Sequence, residues 1–177
     1  MPTSVEEKLG GGKLLIDREI KTYVEKYDMV RPFSDRLNSQ GVISWGLSSM
    51  GYGLASAMGL QLLEPERRVA CVLGDGGFAM FLGELETVVR RELPIVAVIL
   101  ADQALTQIKL GQDRKGLPAT GTTFGPLDYV GLARAFGADG AEIHRLNECR
   151  DVLRWAVERR APTIVAAYID PECYRLQ

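Results

Sequence analysis

Two acids and a set of glycines carry the chemistry open to this sequence. Asp75 lies in Val69-Ala-Cys-Val-Leu-Gly-Asp-Gly-Gly-Phe78, between Gly74 on one side and Gly76 and Gly77 on the other. Asp102 follows the apolar run Ile95 to Leu100, in Ala101-Asp102-Gln103. Glycines let a backbone approach a ligand closely, and N–H groups at a following helix start suit an anion. A lone acid in such a turn would repel a phosphate unless a cation sat between them. Alone, Gly-Asp-Gly is equally an ordinary turn. Asp102 adds weight to the ligand reading, because one helix crossover separates the two acids, so they can end neighbouring parallel strands. Paired carboxylates at adjacent strand ends suit a hard divalent cation, and Mg²⁺ prefers oxygen ligands and often keeps substrate phosphates in its shell. Together the pieces predict a diphosphate ligand held through Mg²⁺.

The elements that must position these acids alternate between strand and helix. Residues 1–12 are polar, with Gly10-Gly11-Gly12, and are expected to form a mobile arm; residues 13–177 are expected to form one domain. Lys13 to Asp17 is predicted as a first strand, and Arg18 to Asp28 has helical spacing with Ile20, Tyr23, Val24 and Tyr27 on one face. Arg31 to Gln40 reads as loop, and Val42 to Trp45 as a second strand. A helix rich in small residues (Gly51, Gly53, Ala55, Ser56, Ala57, Gly59) then runs to about Leu63, with Ser48 or Ser49 as cap. Its small residues fit either close packing on the sheet or the approach of a cofactor or another subunit. Val69 to Leu73 is predicted as a strand covered on both faces, Met80 to Glu92 as a helix, and Ile95 to Leu100 as a strand. Ala104 to Pro126 has little periodicity and reads as a lid or ligand-binding loop. Leu127 to Phe136 is predicted as a helix stopped by Gly137, Ala141 to Leu146 as a strand, Asn147 to Arg160 as a helix capped by Asn147, and Thr163 to Ile169 as the last strand.

That alternation implies an α/β fold: a doubly wound parallel sheet of about six strands, flanked by helices on both faces. Ligands of such folds sit at the carboxyl ends of the strands, where Asp17, Asp75 and Asp102 are all expected.

The chain has 177 residues and a net charge of −2, which gives no reason to expect nucleic acid or an anionic membrane as partner. No apolar run approaches the roughly 20 residues that span a bilayer. The N-terminus does not read as a signal peptide, and three widely spaced cysteines fit a reduced, cytoplasmic protein. A single histidine, His144, makes a His-based metal site or a Ser-His catalytic pair improbable within this chain.

Gly74-Asp75-Gly76, the spacing to Asp102, and Ser49-Met-Gly-Tyr-Gly-Leu-Ala-Ser-Ala-Met-Gly59 resemble the diphosphate-binding domain of thiamine-diphosphate enzymes. The likeness is to the acetolactate synthase, benzoylformate decarboxylase and sulfopyruvate decarboxylase group, and Phe124 to Gly137 adds to it. The resemblance implies thiamine diphosphate and Mg²⁺ as cofactors. It implies Asp75, Asp102 and the carbonyl of Ala104 as Mg²⁺ ligands. Gly74, Gly76 and Gly77 would meet the diphosphate, with Leu105 and Thr106 lining its other side. Met50 matches the apolar residue that wedges the cofactor into its bent form. The carbonyl of Ser48 matches the acceptor for the aminopyrimidine amine.

There are departures. Ala101-Asp102 stands where the family usually has two asparagines, and Gly77 where serine or alanine is frequent. Asp17 to Lys21 replaces a glycine-containing loop, which makes Arg18 and Glu19 candidates for the substrate pocket. The glutamate that activates the cofactor lies, in the family, on a separate pyrimidine-binding domain. The resemblance therefore implies a beta-type subunit of a two-component 2-oxo-acid decarboxylase, partnered by an alpha-type subunit and self-associating into a heterotetramer or larger. A split acetolactate-synthase-like carboligase and a non-catalytic assembly subunit are the alternatives.

Overall fold

The computed structural model describes residues 49–171. The strands expected at 13–17 and 42–45, the helix at 18–28, and Ser48, Asp17, Arg18 and Glu19 lie outside the described residues. Within them, four parallel strands form one sheet in the order β1-β2-β4-β3: β1 Val69–Gly74, β2 Ile95–Ala101, β3 Asp139–Ile143 and β4 Thr163–Tyr168. Helices α1 Tyr52–Leu63, α2 Asp75–Met80, α3 Glu84–Arg90, α4 Thr106–Arg114, α5 Tyr129–Phe136 and α6 Leu146–Glu158 connect and flank them. The alternating βα pattern of the sequence is thus realised as an α/β sheet flanked by helices.

Every residue of β2 is buried, as its unbroken apolar run requires at the centre of a sheet. Alternate residues Val69, Cys71 and Leu73 of β1 join Ile95, Ala97 and Ile99 of β2 in one core with Leu54 of α1, Phe78 of α2, Leu85 of α3, and Tyr129 and Ala133 of α5. On the other side of the sheet α6 packs against β3 and β4, burying Cys149, Leu153 and Ala156. The expectation that β1 is covered on both faces is corrected among the described residues: Val72 is 42% exposed. Period-two alternation puts Val72 opposite the core face, at the end of the described sheet.

Several boundaries also move. The single helix expected from Met80 to Glu92 is two helices, and the first begins at Asp75 itself. A turn at Phe81–Gly83 separates them, because the Phe81 ring docks where a side chain on Gly51 would lie. The predicted structureless segment from Ala104 to Pro126 contains α4. Only Thr106 of that helix is buried, so no apolar stripe announces it. Ser49 does not cap α1 through its side chain; Gly51, at φ 82°, is the cap residue. Asn147 does not cap α6 either: the Glu148 carboxylate accepts from the backbone N–H of His144 (3.0 Å) and Arg145 (3.1 Å). Asp128 does cap α5, accepting from Gly131 N at 2.7 Å, and Gly137 ends that helix in the left-handed region. No helix among the described residues is long and apolar enough to cross a membrane.

Candidate functional site

The register Gly74↔Leu100 brings the carboxyl ends of β1 and β2 level. Asp75 and Asp102 follow those ends, as the sequence predicts, and the structure adds how they are joined. Asp75 is only 2% exposed, and its carboxylate clamps the neighbouring strand end. Its Oδ2 accepts from Asp102 N (3.1 Å) and Gln103 N (2.7 Å), and its Oδ1 from Gly76 N (2.8 Å). Asp102 Oδ1 in turn accepts from Ala104 N at 3.1 Å. Gln103, directly after Asp102, has φ 61°, a left-handed conformation uncommon for a side chain of its size. The clamp on its N–H helps to hold it there.

Burial raises the pKa of Asp75 above its ordinary value, and the charge of Asp102 adds to the rise, while the N–H donors of Gln103, Gly76 and Asp102 oppose it. A carboxylate offers about four lone-pair directions. Three of Asp75's are taken by N–H groups, which leaves one on Oδ1, and Asp102 keeps its second oxygen. Two acidic oxygens of like charge at one buried strand end are a donor set suited to a hard cation, and a cation there would relieve the repulsion between them.

Around the acids the chain is arranged by the absence of side chains. Gly76 and Gly77 are not turn residues; they form the first turn of α2 and are buried. A Cβ on Gly76 would collide with the Leu105 side chain and come within 3.3 Å of the Met50 methyl, and a Cβ on Gly77 would lie 3.2 Å from Gly51 N. These glycines therefore let the start of α1, with Met50 and Gly51, and the start of α4, with Leu105, close onto α2. The structure thus brings Met50, Gly76, Leu105, Asp75, Asp102 and Ala104 into one neighbourhood. Met50 is 39% exposed. The N–H of Gly76, expected to meet a diphosphate, is engaged by Asp75. In α1, Gly53 packs 3.7 Å (from its would-be Cβ) against the Val72 carbonyl, which is close helix–sheet packing, whereas Gly59 faces open space.

The loop after α4 is pinned to the site. Leu105 N donates to Thr122 O (2.7 Å), Phe124 N donates to Gln103 O (3.0 Å), and Ala104 pairs with Thr123 in an antiparallel bridge. Thr106, the first residue of α4, is 7% exposed, and its hydroxyl has no hydrogen-bond partner among the described residues. A buried hydroxyl of that kind beside a pair of carboxylates fits a site built for a polar ligand. Tyr129, buried in the core beside Phe78, shares this feature. Sequence reasoning missed it, because a tyrosine at the start of a helix reads as packing.

At the same end of the sheet, beyond β4, lies a second polar group. Tyr168 donates to Glu142 Oε1 (3.0 Å), His144 Nε2 lies 3.0 Å from Glu142 Oε2, and the His144 ring stacks on Tyr168 with centroids 4.6 Å apart. The Tyr168 pKa is pushed up to about 12, by burial first and then by its bond to Glu142.

Comparison with known proteins agrees with this geometry. Residues 26–167 match the family described as thiamine pyrophosphate enzyme, C-terminal TPP binding domain. The catabolic acetolactate synthase of Raoultella terrigena is 36% identical over 74% of this chain and 23% of its own. The acetolactate synthase of Bacillus subtilis is 34% identical over 73% of this chain and 23% of its own. For the acetolactate synthase isozyme 2 large subunit of Escherichia coli the figures are 35%, 73% and 24%. The chain thus spans about a quarter of the length of the curated relatives it matches. It belongs to the thiamine pyrophosphate enzyme family, as a C-terminal, diphosphate-binding domain related to that of acetolactate synthase.

Proposed function

We propose that this chain is the beta-type, cofactor-binding component of a thiamine-diphosphate- and Mg²⁺-dependent 2-oxo-acid decarboxylase. It works with a pyrimidine-binding, alpha-type component that carries the activating glutamate, and it self-associates in the assembled enzyme. The observation that carries the reading is the pairing of the buried Asp75 with the half-buried Asp102 at neighbouring strand ends.

In this reading Asp75 and Asp102 hold Mg²⁺ with the Ala104 carbonyl, and Asp75 also fixes the backbone of residues 102 and 103 that presents the other ligands. Gly74, Gly76, Gly77, Leu105 and Thr106 border the diphosphate, and the Thr106 hydroxyl is available to donate to it. Met50 and Leu105 supply an apolar wall beside Gly76, and Met50 keeps the wedging role that the family resemblance gives it. Ser48 keeps the acceptor role that the family resemblance gives it. When bound, thiamine diphosphate supplies a nucleophilic carbon and an electron sink for the pair released as CO₂ leaves a 2-oxo acid.

The second reading is an acetolactate-synthase-like carboligase, favoured by the names of the relatives. Products formed from pyruvate by the full chain with its partner, with and without an acceptor aldehyde, separate the two: aldehyde release supports the decarboxylase and an acyloin the carboligase. Binding is tested first. Asp102→Ala, which removes a carboxylate with one hydrogen bond to the fold, is expected to weaken Mg²⁺–thiamine diphosphate binding by about a hundredfold, the scale of a lost close charge partner. Unchanged binding in Asp102→Ala would overturn both enzymatic readings and leave the assembly role.

A further inference from the structure

The Tyr129 hydroxyl is the feature that the proposed roles leave unused. Tyr129 is the first residue of α5, directly after its cap Asp128, and is only 1% exposed. Its ring is fixed between two others, with the Phe78 centroid at 6.2 Å and the Tyr168 centroid at 6.3 Å. Phe78 belongs to α2, the helix that begins at Asp75, and Tyr168 ends β4. The phenol is therefore wedged at the carboxyl end of the sheet and cannot swing to water. Its hydroxyl has no hydrogen-bond partner among the described residues.

A buried hydroxyl without a partner costs stability, and phenylalanine would fill the same space without that cost. Simple packing therefore gives no reason for the oxygen. Its placement gives one: Phe78 lies on the same short helix as Asp75, and Tyr168 pairs with Ala101, the residue before Asp102, so the ring that packs on both stands at the end of the sheet that carries the two acids. A buried phenol without a partner among the described residues, at the strand ends that carry two carboxylates suited to a cation, can serve there as a donor to an oxygen that comes with the ligand. Tyr168 makes the contrast plain, since its hydroxyl is satisfied by Glu142.

We propose that Tyr129 is a positioning residue whose hydroxyl donates to an oxygen in the shell of the divalent cation held by Asp75 and Asp102. The inference rests on the proposed cation site. The oxygen belongs either to a cation-bound water or to the diphosphate, and two titrations distinguish them.

The test compares the full chain with its Tyr129→Phe variant, titrated by calorimetry with Mg²⁺ alone and with Mg²⁺ plus thiamine diphosphate. Without ligand the variant is expected to melt at the same temperature as the wild type or higher, because it loses an unsatisfied hydroxyl. Its affinity is expected to fall about three- to tenfold, the worth of one hydrogen bond. A loss with Mg²⁺ alone assigns the oxygen to water; a loss only with the diphosphate present assigns it to the cofactor. The tyrosine ultraviolet difference spectrum on ligand addition should contain a component that the variant lacks. Equal affinity in both proteins, or a ligand-free melting temperature lowered along with the affinity, overturns the inference. Failure of the wild type itself to bind in either titration overturns the cation site beneath it.

Discussion

The carboxyl ends of two strand pairs in one sheet are built in opposite ways. At β3 and β4, Glu142, His144 and Tyr168 answer each other's hydrogen bonds, and Glu148 takes the N–H groups that open α6. At β1 and β2, one carboxylate is spent on backbone N–H groups, two acids are left close together, and the hydroxyls of Thr106 and Tyr129 find no partner among the described residues. The first end is complete in itself. The second is complete only as a clamp for its own backbone, and its side chains are arranged for something added. An acid at a strand end therefore says little until the partners of its neighbours are known.

The largest expected effect breaks the β1–β2 end through its packing. Gly51→Ala places a methyl into the Phe81 ring at a residue with φ 82°, so it combines overpacking with a left-handed backbone. A loss of about 3–5 kcal/mol is expected in urea unfolding, and affinity for Mg²⁺–thiamine diphosphate should fall with it, because the start of α1 no longer seats on α2. Tyr168→Phe probes the other end. It removes a satisfied, half-buried hydrogen bond and should cost about 1 kcal/mol while leaving Mg²⁺ affinity unchanged. Set beside Tyr129→Phe, it exchanges the two readouts: stability falls in one variant and affinity in the other. If both variants lost the same quantity, the distinction between the two ends would disappear.

The smallest effect concerns pH. The Glu148 pKa is lowered from its ordinary 4.5, first by the His144 N–H and then by the Arg145 N–H. A carboxylate with a depressed folded pKa stabilises the fold above its unfolded value and loses that contribution as pH falls through the folded one. The Tm of the wild type should therefore exceed that of Glu148→Gln near neutrality, and the gap should close as the pH drops below the ordinary glutamate range. Mg²⁺ affinity near neutral pH should be the same in both.

Much of this layout was legible in the residues. The apolar runs ending at Leu73 and Leu100 place Asp75 and Asp102 at neighbouring strand ends, because buried parallel strands leave a continuous hydrophobic signature. Asp128 and Gly137 bracketed α5 by cap chemistry alone. What escaped notice had no periodic signal. Helix α4 buries only Thr106, so its sequence resembles a loop. The turn at Phe81–Gly83 follows from a contact with Gly51, thirty residues earlier in the chain. Gly76 and Gly77 are expected from the sequence to let a ligand approach the backbone; the structure adds the space they leave for Leu105, Met50 and Gly51. Tyr129 is core, and only the lack of a hydrogen-bond partner among the described residues marks its oxygen.

The sheet order has a consequence for how the molecule assembles. β1 pairs with β2 from Val69↔Ile95, across two short helices, and β3 with β4 from Asp139↔Thr163, across one, so each pair is a unit of modest sequence separation. Among the described strands, the pairing of β2 with β4, from Val96↔Thr163, joins the two units across a long stretch of chain. Closing a long loop costs more entropy and slows folding more than closing a short one. The two carboxylates should therefore meet within the first unit before the long closure, and Tyr129 and Tyr168 should reach that end of the sheet with the second. Ligand added during refolding would find the acids first and the phenol later.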